Sequence, residues 1–147
     1  KAVGVDNYMN EIFLYGGEKI EEATWILCRE VFRQEKLPAT WTQGLIFPIF
    51  KGGTEDERHQ PDKYRGITLL SVLGKIYASI LNDRATEWIE SKGILVEEQA
   101  GFRKDRATMD QLFILTEIIK NRRPEGTYVG FIDIQKAYDR VWRKGLW

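Results

Sequence analysis

Two apolar runs constrain the fold of this chain more than any other feature. Gly44–Phe50 (Gly-Leu-Ile-Phe-Pro-Ile-Phe) and residues 64–69 are both strand-like, and a polar stretch from Gly52-Gly53 to Lys63 separates them. That pattern predicts a two-stranded ribbon with a long, mobile hairpin tip. Pro48 has no amide to donate, so its strand must be an edge or bend there.

Helical patterns surround the ribbon. Residues 1–17 read as a short helix or irregular lead-in. Residues 18–36 place Ile20, Ala23, Leu27 and Val31 on one face, the spacing of an amphipathic helix, and Leu37-Pro38 stops it. Ser71 suits a helix cap. Beyond it Leu73, Ile76, Tyr77, Ile80, Leu81 and Trp88 follow helical spacing, with Arg84 on the same stripe. Gly93 suits the left-handed residue that ends such a helix. A basic loop is expected over 94–107. Thr108-Met109-Asp110-Gln111 matches a capping box and opens a helix through Leu112, Leu115 and Ile119. Arg123-Pro124-Glu125-Gly126 reads as a turn. A strand over 128–132 then delivers Asp133, and a helix starts at Ala137. The expected class is α+β, with one dominant core built by the helices.

Composition narrows the function only a little. With 147 residues and 43% hydrophobic side chains, a real core is within reach. Net charge is zero, so bulk charge announces no nucleic-acid partner. The distribution is uneven: residues 99–147 carry ten basic and six acidic side chains, whereas both earlier thirds are net acidic. A single Cys, Cys28, forbids an internal disulfide and favours a reducing compartment. On a helical stretch it reads as buried packing. One His excludes a His/Cys zinc site. No apolar run approaches the roughly 20 residues of a membrane span, and no signal peptide is visible. The chain begins with Lys and reads as an excerpt of a longer protein.

Four places could carry chemistry. Asp133 ends an apolar run, where one carboxylate and the Ile134 carbonyl could serve a hard cation such as Mg²⁺. Taken alone it reads more readily as a helix cap. Tyr138 is either a core aromatic or a ring beside an incoming sugar. Lys51 and Arg65 flank the ribbon tip and could fold onto a triphosphate, Arg as a fork and Lys as a point charge. Two solvated surface charges would look the same, and Lys75 is ambiguous in the same way. Finally, Gln99-Ala100-Gly101-Phe102-Arg103-Lys104-Asp105-Arg106 combines close backbone approach at Gly101 with aromatic and cationic groups suited to a nucleic-acid strand. A basic loop anchored by a buried Phe102 is the alternative.

Taken in order, these stretches resemble the reverse transcriptases of non-long-terminal-repeat retrotransposons, with group II intron enzymes as more distant relatives. The resemblance rests on 46–51, Tyr64-Arg65-Gly66-Ile67-Thr68-Leu69-Leu70-Ser71, Leu73-Gly74-Lys75-Ile76, Gln99-Ala100-Gly101-Phe102-Arg103, and Phe131-Ile132-Asp133-Ile134 with Lys136-Ala137-Tyr138-Asp139. Gly4-Val5-Asp6-Asn7 resembles the segment just upstream.

The resemblance implies a fingers subdomain over 1–127, helices plus a two-stranded ribbon, and the first strand of the palm of a right-hand polymerase over 128–147. It implies a nucleotidyltransferase that adds dNTPs to a primer 3′-hydroxyl on an RNA template, with Mg²⁺ or Mn²⁺ as cofactor. Asp133 matches the first catalytic aspartate and metal ligand, with Ile134 beside it. Lys51 and Arg65 match residues at the incoming triphosphate, and Tyr138 the sugar-discriminating aromatic. Gln99, Gly101, Phe102 and Arg103, with Lys75, match the template side. Asp139 belongs to the pattern, and a structural role is expected for it.

Gly66 stands where such enzymes more often have Pro, which loosens the strand start. The paired aspartates of a Tyr/Phe-x-Asp-Asp hairpin do not occur in the 147 residues, so the chain alone is expected to be inactive. The alternative is a non-catalytic nucleic-acid-binding or interaction module of retroelement origin. Expected partners are an RNA template, a DNA primer and dNTP, with no membrane. Apolar surface meant for the palm would favour self-association. The expected location is intracellular, in the nucleus or a cytoplasmic ribonucleoprotein.

Overall fold

A computed structural model describes residues 3–122, 126–135 and 137–146, the side chain of Asp139 excepted. The described elements are α1 (Asn10–Tyr15), α2 (Gly17–Gln34), β1 (Gly44–Phe50), β2 (Tyr64–Leu70), α3 (Val72–Ser91), α4 (Thr108–Asn121), α5 (Ala137–Arg140) and α6 (Arg143–Leu146). Helices plus one antiparallel sheet make the chain α+β, as its pattern predicts. Where one dominant core was expected, the chain forms two compact units, Lys1–Ile94 and Leu95–Trp147. Among the described residues the buried apolar side chains are Cys28, Val31 and Val72, all in the first unit. No helix among the described residues is long and apolar enough to cross a membrane.

In the first unit, β1 and β2 pair in an unbroken antiparallel register from Gly44 opposite Leu70 to Phe50 opposite Tyr64. The Phe50 and Tyr64 rings meet at 5.4 Å between centroids, a cross-strand aromatic pair that favours this register. The polar tip is ordered by two 3₁₀ turns, Glu55–His59 and Pro61–Lys63. Its anchors are local. The Thr54 amide donates to Glu57 at 3.0 Å, the Tyr64 hydroxyl to the Arg58 carbonyl at 2.9 Å, and the Arg58 guanidinium lies 5.5 Å from the Phe50 ring centroid. The tip expected to be mobile therefore carries regular turns.

Ser71 joins the ribbon to α3. Its side chain is completely buried, and its hydroxyl accepts from the Gly74 amide at 3.2 Å, the expected N-cap. Gly4 sits against this junction. A Cβ there would lie 2.7 Å from the Leu70 carbonyl carbon and 2.8 Å from the Ser71 nitrogen, so only glycine lets the two backbones approach this closely. Helix α3 ends as predicted. Gly93 takes φ 59°, its amide bonds the Glu90 carbonyl, and the Ile94 amide bonds the Ile89 carbonyl, the paired bonds of a Schellman cap.

Helices α2 and α3 touch through several predicted positions. Ile20, Thr24 and Cys28 of α2 share an open apolar cleft with Ile76 and Ile80 of α3. Arg84, on the same stripe of α3, places its guanidinium 5.1 Å from the Phe32 ring centroid. Cys28 is buried, and desolvation raises its thiol pKa. This is the packing role its helix suggested.

The second unit departs more from expectation. The capping residue of α4 is Ala107, not Thr108: the Asp110 carboxylate accepts from the Ala107 amide at 2.8 Å. Only this half of the capping box can exist, because alanine has no side-chain oxygen to return. The strand expected over 128–132 does not form. Those residues lie outside any helix or ladder, with Tyr128, Phe131 and Ile132 exposed. An apolar run becomes a strand only where a neighbour satisfies its amides and carbonyls. Among the described residues the one ladder is β1–β2. The turn expected at 123–126 falls mostly outside the described residues, as do Lys136 and the side chain of Asp139.

Candidate nucleic-acid interface

The ribbon brings its two predicted cations onto one face. Successive strand residues point to opposite faces. Ile49 lies opposite Arg65, and the Lys51 amide continues the ladder to the Lys63 carbonyl at 2.8 Å. Lys51, Lys63 and Arg65 therefore share a face at the tip end of the hairpin. Lys63 escaped the sequence reading, although counting back two residues from Arg65 would have found it.

The three cations are not equivalent. The Lys51 ammonium donates to the Asp62 carbonyl at 2.8 Å. Lys63 is held by Glu57 at 2.5 Å. This hydrogen bond, with a second from the Thr54 amide, lowers the Glu57 pKa. Arg65 is exposed on the strand itself, where a rigid ladder fixes its backbone. Lys75 is exposed one turn into α3.

In the second unit, the loop before α4 is held by its own side chains. Arg103 Nη1 donates to the Val96 carbonyl at 3.0 Å and to the Gln99 carbonyl at 3.5 Å. Gln99 Nε2 donates to the Gly101 carbonyl at 3.1 Å. Arg106 pairs with Glu97. Two of the predicted contact residues thus shape the loop, and Phe102 is what the loop presents. Its side chain is 95% exposed and its φ is 62°. The alternative of a buried Phe anchor is overturned. A non-glycine residue in the left-handed region costs roughly 1–2 kcal/mol, and such strain collects where an exposed group has work to do.

Asp133 and Ile134 lie in the irregular segment before α5, both exposed. Tyr138 is on the short helix α5 and is 76% exposed. An exposed carboxylate with the adjoining carbonyl suits a hard cation. Among the described residues no cluster of three or more potential metal-binding side chains forms.

Residues 51–147 match the family described as reverse transcriptase (RNA-dependent DNA polymerase). The chain belongs to the reverse transcriptase family. It is 31% identical to the "Probable RNA-directed DNA polymerase from transposon BS" of Drosophila melanogaster, over 99% of this chain and 16% of that protein. It is 34% identical to the "Probable RNA-directed DNA polymerase from transposon X-element" of the same fly, over 79% of this chain and 13% of that protein. The "RNA-directed DNA polymerase from mobile element jockey" is 32% identical over 74% of this chain and 12% of its own length. The chain thus spans less than a fifth of these curated relatives. No solved structure matches it.

Proposed function

We propose that this chain is the nucleotide- and template-gripping part of an RNA-directed DNA polymerase that works inside the cell on an RNA template. Residues 1–127 are its fingers and 128–147 open its palm. The observation that carries this reading is the shared face of Lys51 and Arg65, backed by the family match. In the parent reaction the primer 3′-oxygen attacks the α-phosphorus of a dNTP and pyrophosphate leaves. Positioning and charge neutralisation supply most of the catalysis.

Arg65, fixed on its strand, forks onto phosphate oxygens of the incoming dNTP, and Lys51 adds a point charge. Lys75, Gln99, Gly101, Phe102 and Arg103 serve the template side, with Gln99 and Arg103 shaping the loop that presents Phe102 for base stacking. Asp133 and the Ile134 carbonyl would hold Mg²⁺ or Mn²⁺. When bound, the ion neutralises charge on the attacking and leaving oxygens. Tyr138 stands beside the sugar and excludes a 2′-hydroxyl by bulk.

In a complete polymerase carrying this segment, Asp133→Asn abolishes dNTP incorporation while Arg65→Ala raises KM for dNTP. Undiminished incorporation by Asp133→Asn would sink the assignment. The 147-residue polypeptide itself incorporates no dNTP on a primed RNA template, since one ligand carboxylate cannot complete a two-metal site.

A second reading is favoured by the exposure of Phe102: the polypeptide binds RNA without catalysis. Filter binding then shows weak RNA affinity that falls with Phe102→Ala and is indifferent to Asp133→Asn.

A further inference from the structure

The two outer edges of the ribbon differ. The bond from the Lys51 amide to the Lys63 carbonyl makes that pair a hydrogen-bonded one. Alternation makes Ile49–Arg65, Phe47–Ile67 and Leu45–Leu69 hydrogen-bonded too. The intervening pairs, Phe50–Tyr64, Pro48–Gly66, Ile46–Thr68 and Gly44–Leu70, turn their backbone groups outward. On β1 this row is interrupted by Pro48, which has no amide. On β2 the row Tyr64, Gly66, Thr68 and Leu70 keeps every donor and acceptor. Among the described residues, no backbone hydrogen bond from another segment reaches this row. Gly66, Ile67 and Thr68 are exposed, and Gly66 has no side chain to obstruct an approaching strand. Open edges of this kind are templates for pairing, and proline is one way a protein blunts them. Here one edge is blunted and the other is not.

We propose that the outer edge of β2 is a self-pairing site, at which two copies of this chain join antiparallel into a four-stranded sheet. A second copy is the occupant because one register, with its two-fold axis at Ile67, uses the whole row. It sets Gly66 opposite Thr68 of the partner subunit and Tyr64 opposite Leu70 of the partner subunit. Such a contact is closed and self-complementary. Ile67 meets Ile67 of the partner subunit in a close, non-hydrogen-bonded pair. Arg65 faces Leu69 of the partner subunit, which leaves the two Arg65 charges roughly 13 Å apart along the strands, beyond the screening length of about 8 Å at physiological salt. A two-stranded ribbon is marginal by itself, and four strands are not. The inference is independent of the polymerase reading.

Sedimentation equilibrium of the 147-residue chain tests it, together with amide exchange read at rising protein concentration. The expected result is a dimer at tens of micromolar. The Gly66 and Thr68 amides should gain at least tenfold protection with concentration, while the Ile46 amide gains none. Gly66→Pro removes one outward donor and leaves the inward ladder intact, so it should weaken association at least tenfold. Ile67→Glu should do the same by setting two carboxylates across the axis, whereas Ile46→Pro on the blunted edge changes nothing. A monomer throughout this range would overturn the proposal. So would a dimer whose Gly66 and Thr68 amides exchange independently of concentration, which would assign association to the apolar helix faces.

Discussion

The Lys63 ammonium sits 2.5 Å from a carboxylate oxygen of Glu57, and this contact closes the ribbon tip. The bond lowers the Glu57 pKa below its ordinary value of 4.5. A depressed carboxylate contributes stability that is fully present above its unfolded pKa and lost as pH falls through its folded one. The tip should therefore stay ordered as pH drops through 4.5 and loosen only at lower pH. Amide exchange over Glu55–His59 checks this. Glu57→Gln should loosen the tip at neutral pH and flatten the pH response.

Ser71→Ala removes the only side-chain cap of α3 and leaves the Gly74 amide without its acceptor. The expected loss is about 1 kcal/mol, read by urea denaturation. Ser71→Asp, which can still cap but must fit a fully buried position, should lose more than the capping term alone. An unchanged midpoint for Ser71→Ala would show that the cap contributes nothing.

Phe102 invites a trade between stability and binding. Phe102→Gly relieves a left-handed φ and should stabilise the loop by about 1 kcal/mol. The same substitution removes a stacking surface of the kind worth roughly 1–3 kcal/mol per base. Thermal melts and RNA titrations should therefore move in opposite directions. If both fall together, Phe102 is a packing residue.

Arg103→Ala should speed amide exchange at Gln99 and Arg103, because the guanidinium grips the Val96 and Gln99 carbonyls. Arg65→Ala should leave exchange in the ribbon unchanged, as that side chain is exposed and its ladder bonds are backbone bonds. The contrast separates a residue that shapes the site from one that reaches out of it.

Much of the first unit was legible because its signals are local. Alternation and the bounding turns fix β1 and β2 to within a residue, and Ser71 and Gly93 mark both ends of α3. The failures share one cause. Residues 128–132 carry a strand's composition, but a strand is a relation between two segments, and no partner lies beside them among the described residues. The α4 start slipped by one residue because Asp110 can serve a neighbour that has no hydroxyl of its own. Lys51 and Arg65 could be named from the sequence, whereas the tether on Lys63 depends on a turn that only the folded tip creates. At Gln99 and Arg103 the residue types were recognisable, yet their grip on the loop backbone was not, since it depends on where carbonyls point.

The family match begins at residue 51, one position after β1 ends. A protein expressed from the matched region alone would keep β2 and discard its only described partner strand. It would also lose the glycine that seats the Leu70–Ser71 junction. The smallest segment that can build the ribbon therefore starts well upstream of the segment by which the family is known, and truncation boundaries for expression belong before Gly4.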